Sequence, residues 1–189
     1  MSEPALAPVP HGQLAELWNR TTWRVTVYLA ACTLVGALGA LIWSWVSPLA
    51  AYTVNPDLSA GMSERGLAGL VAPDVTFSII VGSIGLLAGV AGWFVLFRRG
   101  WVVTVVPPLA GFAAALMTWR LGIIVGVTGF ADRIAVAQPG DLVQVDLELH
   151  SVSALLIGPF AAVTPIMLLA AFWPERPEGA PVGEPLPNP

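Results

Sequence analysis

Residues 77–97 read FSIIVGSIGLLAGVAGWFVLF, Arg98-Arg99-Gly100 follow at once, and WVVTVVPPLAGFAAALMTW occupies 101–119. Neither apolar run carries a charge. Crossing a bilayer core of about 30 Å takes about 20 helical residues, so both are long enough. Lipid offers no hydrogen bonds, which leaves helices or closed barrels. Unbroken apolar runs lack the alternation of barrel strands. Two helices separated only by Arg-Arg-Gly must be antiparallel neighbours, with the arginines at one membrane face.

Two further runs lie outside this hairpin, Val25–Val46 and Val152–Trp173. Of the 189 residues, 56% are hydrophobic and 11% charged, against about 25% charged in a soluble domain. The expected fold is an all-α membrane protein, a four-transmembrane-helix bundle with two short extracytoplasmic loops. Its spans lie at about 25–46, 77–97, 101–126 and 152–173. Residues 1–24 form a cytoplasmic N-terminal segment. Within it Leu14, Leu17 and Trp18 sit at helical spacing, as a surface helix or an extension of the first span. Residues 174–189 hold six prolines and form a disordered cytoplasmic tail.

Arginine placement sets the orientation. Arg20, Arg24, Arg98, Arg99 and Arg176 fall on one side, and Arg65 and Arg133 on the other. The positive-inside rule then places both termini in the cytoplasm of a multi-pass cell-membrane protein. Trp23, Trp93, Trp101 and Trp173 mark the inner interface in this reading, and Trp43, Trp45 and Trp119 the outer one. In the second outer loop Val143, Val145, Leu147 and Leu149 alternate with polar residues, which predicts a short strand resting on the membrane domain.

Small residues define packing faces. Ser78, Gly82, Gly85, Gly89 and Gly92 recur in steps of four and three along one face of the second span. Gly111, Ala115, Thr118 and Gly122 form a similar stripe on the third, extended by Gly126. Such faces let helix backbones approach closely in lipid. They predict structural packing, with a sliding or dimerising interface as the sharper alternative.

Arg120 interrupts an otherwise apolar stretch from Trp101 to Ala131. As one helix that stretch would measure about 46 Å, so the segment must tilt, kink or leave the membrane early. A helix starting at Trp101 and kinked at Pro107-Pro108 brings Arg120 to the outer interface; one starting at Pro107 buries it deeper. Asp74 is a candidate partner at similar depth. The helical azimuth, however, turns Arg120 about 180° from the third span's small-residue face. Asp132, Asp141 and Asp146 are the alternatives.

Little else carries chemistry. Leu29-Ala30-Ala31-Cys32 matches a lipoprotein cleavage box, but only a short apolar stretch precedes it and the run continues beyond, unlike a signal peptide. One cysteine excludes an intrachain disulfide. His11 and His150 fall on opposite sides of the membrane. Asp146, Glu148 and His150 could meet on one strand face, where a solvated polar face is the simpler reading. Pro159 and Pro165 are expected to kink the fourth span. No catalytic constellation, cofactor or metal site is expected, and the net charge of −4 argues against nucleic acid.

Gly39-Ala40-Leu41-Ile42-Trp43 through Pro48, Ala72-Pro73-Asp74-Val75-Thr76-Phe77, Gly85-Leu86-Leu87-Ala88-Gly89, Trp119-Arg120-Leu121-Gly122 and Gly126 together resemble an uncharacterised family of small actinobacterial membrane proteins, a domain of unknown function. The resemblance covers about residues 25–173. It implies a four-helix inner-membrane protein and no known activity.

The expected function is that of a non-enzymatic accessory or scaffold protein of the cell envelope, assembling through the small-residue faces. Its expected partners are membrane lipids and a membrane protein or a second copy. The alternative is a small transporter or anionic-lipid-binding protein using Arg120. A membrane enzyme using Asp74, Asp141, Asp146 or Glu148 ranks third.

Overall fold

The structure is a computed structural model that describes residues 21–172 apart from 58 and 63. The expected surface helix near Leu14, the tail 174–189, His11, Arg20, Trp173 and Arg176 lie outside the described residues. In chain order the elements are α1 (Thr21–Val46), β1 (Ala51–Val54), β2 (Ala60–Gly61), α2 (Glu64–Gly69), α3 (Ala72–Leu96), α4 (Val102–Val125), α5 (Phe130–Ala135), β3 (Leu142–Gln144) and α6 (Ile157–Phe172). Short 3-10 turns at Phe97–Arg99 and Val152–Leu156 precede α4 and α6.

The chain is mostly helical, and four of its helical segments are long and apolar enough to cross a membrane. All four expected spans correspond to helices, but some ends differ. Helix α3 starts at Ala72 rather than Phe77, because Pro73 suits a first turn that needs no N–H donor. The last span opens as a 3-10 turn and becomes α-helical at Ile157. Pro159 therefore stands in the first turn of α6 and only Pro165 lies inside it. The α3–α4 connection is as tight as Arg98-Arg99-Gly100 implies. Gly100 takes φ 63°, a conformation that disfavours side chains.

Helix α1 packs most closely on α4, and α3 on α6. Two clusters fill the interior. One, toward the Arg98-Arg99 end, gathers Tyr28, Cys32, Ala88, Trp93, Leu96, Val103, Ala110 and Ile166. The other gathers Trp43, Phe77, Val81, Ala115, Leu147, Ala154 and Leu155. Trp43 is fully buried and Trp93 nearly so, so neither marks an interface as the sequence had implied. Trp45, Trp101 and Trp23 do lie on the surface.

The two inter-helix loops at the far end fold together into one cap. Its sheet has the order β2-β1-β3, antiparallel throughout. Tyr52 faces Val143 in the β1–β3 register. The expected strand at 143–149 is thus real but ends at Gln144. Beyond it Val145 N–H still donates to Ala50 O at 2.8 Å, and Leu147 N–H to Val127 O at 3.0 Å. Val143 and Leu147 are buried, as their alternation requires.

Candidate functional site

Gly85 and Gly89 lie against the Gly158 and Ala162 carbonyls of α6, so closely that an added Cβ would collide with backbone. Gly82 meets the Ile157 side chain, and Gly92 meets Pro107 and the Tyr28 hydroxyl. Ser78 donates to the Asp74 carbonyl at 2.7 Å. On α4, Gly111 abuts Gly158, Ala115 is fully buried, and Gly122 lies under the Trp43 ring. The α3 stripe therefore faces mainly α6, and the α4 stripe is shared between α6 and α1. Thr118 completes the α1–α4 contact, donating within reach of both Gly36 O and Ala114 O at 2.9 Å. The glycine positions of these faces are occupied within the chain.

Asp74 and Arg120 are not brought together. Asp74, in the first turn of α3, accepts the His150 backbone N–H at 3.0 Å and the Ser151 N–H at 2.8 Å. The His150 ring nitrogen Nδ1 lies 3.7 Å from the same carboxylate. Asp74 is nearly buried, so these partners replace water and join the first turn of α3 to the segment entering α6. Arg120 points outward from α4, with its guanidinium 4.4 Å over the Trp119 ring. Among the described residues its head makes no ion pair or hydrogen bond. Arg120 points to the side its helical azimuth implies, and with α4 running from Val102 to Val125 it stands near the cap end of that helix.

The cap has its own electrostatic centre, which sequence reading passed over. Arg133 pairs with Asp146 at 3.0 Å and donates to the Gln144 carbonyl at 2.9 Å and to the Thr128 carbonyl. Asp146 Oδ1 also accepts the Phe130 N–H at 2.9 Å, where α5 begins. Asp146 is therefore an internal partner of the cap rather than a partner for Arg120. No group of three metal-ligating side chains occurs among the described residues. Nearby, Asp57 accepts from the Ser59 hydroxyl at 2.7 Å and amide at 3.1 Å, which holds its carboxyl below the usual range. The only signal for these contacts was the presence of Asp and Arg in one loop, which does not specify who meets whom.

Two grooves open at the cap end, each of about 560 Å³. One runs between α3 and α6, with Val71, Val75, Ile79 and Ile157 as walls and Asp74, Ser151 and Ser153 at its polar end. The other lies on the cap beside β3, with Val127, Val136, Leu142 and Arg133. Val136 and Leu142 are 81% and 72% exposed, high for aliphatic side chains. In the bundle, by contrast, Trp43, Phe77, Val81, Ala110, Ala114, Ala115 and Thr118 are closed to solvent. The described interior is a packed core.

No protein-family model, no curated protein and no solved structure matches the chain.

Proposed function

We propose that this chain is a multi-pass cell-membrane protein that works by contact rather than chemistry: an accessory or scaffold subunit presenting its folded cap to a membrane-protein partner. Positive-inside placement puts Arg98 and Arg99 in the cytoplasm and the cap outside. The observation that carries the reading is the pairing of a rigid mount with an open apolar face. Trp43 Nε1 bonds the Pro73 carbonyl at 2.9 Å, and Asp74 bonds the segment before α6. Leu147 of the cap is fully buried in the core cluster beneath it. The cap is thereby held to the helices, while Val136 and Leu142 stay exposed beside an open groove. Contiguous exposed apolar surface is a common mark of an interaction site. The glycine faces serve the bundle itself, so the partner surface is assigned to the cap.

The test is purification of the tagged full chain in mild detergent, comparing wild type with Val136→Glu/Leu142→Glu. A stoichiometric partner lost only in the double variant, with unchanged thermal unfolding, supports the reading. Monomeric wild-type chain, with no partner and the same cellular phenotype as the double variant, overturns it.

The second reading, lipid or solute binding through Arg120, is favoured by one observation: its side chain is exposed and meets no acid among the described residues.

A further inference from the structure

Arg120 occupies a face of α4 that is otherwise apolar. Leu109, Ala113 and Met117 lead up to it in steps of three and four residues, and Ile124 follows one turn later. Leu109 is 56% exposed and Ile124 76%, so this face looks outward from the bundle. Arginine stays ionised in proteins. Such a charge on an apolar membrane-facing surface must find water or an anion.

Depth decides what it finds. Arg120 lies five residues before Val125, the last residue of α4, or about 8 Å from the helix end along its axis. That is within reach of the interface for a long side chain that extends toward polar headgroups. Trp45, 90% exposed near the end of α1, belongs at that interface, and Trp119 lies more than a turn deeper, since Gly39 meets Thr118 and Gly122 meets Trp43. The Trp119 ring holds the guanidinium carbon at 4.4 Å, and the N–H groups meet no hydrogen-bond partner among the described residues. A guanidinium edge matches two oxygens of a phosphate in a bidentate bond.

We propose that Arg120, positioned by Trp119, binds the phosphodiester group of an anionic glycerolipid in the leaflet adjoining the cap. The site lies on a different surface from the cap groove and does not need the partner. It rests on the membrane reading of the four helices. The lipid phosphate is preferred to a protein carboxylate because the exposed flanking Leu109 and Ile124 suit acyl chains and offer a protein partner no second charge.

The experiment is native mass spectrometry of the detergent-solubilised full chain with added phosphatidylglycerol, set against a phosphate-free glucosyl diacylglycerol. Wild type is expected to retain one phosphatidylglycerol, and Arg120→Gln to weaken that retention about tenfold, the size of one lost charge-assisted bond. Arg120→Lys should fall between them, because a point charge replaces the fork. The phosphate-free lipid should bind both proteins alike, and excess inorganic phosphate should not displace the bound lipid. Equal phosphatidylglycerol retention by wild type and Arg120→Gln overturns the proposal. Displacement by inorganic phosphate overturns the lipid as its source. Carbonate extraction of cell membranes separates the underlying assumption: release of the chain overturns the membrane reading itself, whereas a retained chain with unchanged lipid binding overturns only the Arg120 site.

Discussion

Asp74 Oδ2 accepts the Ser151 backbone N–H at 2.8 Å, tying the first turn of α3 to a residue 77 positions later. The second oxygen takes the His150 N–H at 3.0 Å. Asp74→Asn keeps one acceptor but turns an amide donor toward the other N–H. The side chain is only 12% exposed, so water restores little. The expected loss is about 1–3 kcal/mol, read as a lower unfolding temperature, with faster hydrogen exchange confined to residues 150 and 151. Unchanged exchange there would show that this bond does not hold the cap.

The glycines of α3 should differ sharply from one another. Gly85→Ala and Gly89→Ala each push a methyl into a backbone carbonyl of α6, which can yield only by moving the helix. Each should cost about 1–3 kcal/mol by overpacking. Gly82→Ala meets only the Ile157 side chain at 3.3 Å, and that side chain can shift. It should be close to neutral, helped by the better helix propensity of alanine. Thermal unfolding in detergent of the three single variants decides; equal effects would refute the α3–α6 contact.

These two cases mark how far the sequence reaches. The four spans were legible because an apolar run of membrane length has few other solutions. The α3 face was legible too, since glycines in steps of four and three must share one side. What the face meets was not, because periodicity fixes direction on a helix and says nothing of the neighbour's identity. Trp43 was misassigned for a related reason: an indole near a helix end suits either an interface or a core, and only the Pro73 carbonyl and Gly122 select the core. The cap was half legible. Alternation from Val143 to Leu149 showed one strand, but its partner Ala51–Val54 is four residues long and distant in sequence. Arg120's outward direction was readable from azimuth, whereas Asp74's partners are backbone amides, which no residue type announces.

Asp57 gives the cap a pH-dependent element. Its carboxyl is held below the usual range by the Ser59 hydroxyl and amide. A group whose folded-state pKa is depressed contributes above its unfolded value and ceases to as pH falls through the folded one. The β1–β2 turn should therefore be ordered at neutral pH and loosen in acid. Ser59→Ala should move the Asp57 titration upward, toward the usual carboxylate range, in carbon-detected NMR of the labelled chain. A titration unmoved by Ser59→Ala would refute the assignment of cause.

Trp43 and Gly122 should be energetically coupled. The indole is fully buried, meets Phe77 edge-on at 5.1 Å and donates to the Pro73 carbonyl. Its six-membered ring lies where a Cβ on residue 122 would stand. Gly122→Ala alone should cost about 1–3 kcal/mol from the collision. Trp43→Phe alone should cost a similar amount, about 1–3 kcal/mol, because the Pro73 carbonyl loses its donor, plus the space left by the smaller ring. In the double variant the new methyl enters that space. The combined loss should therefore fall short of the sum by about 1 kcal/mol. Unfolding of all four proteins under one condition measures the coupling. Simple additivity would mean that the ring moves away from α4 without cost, and that Gly122 is not what seats Trp43 in the core.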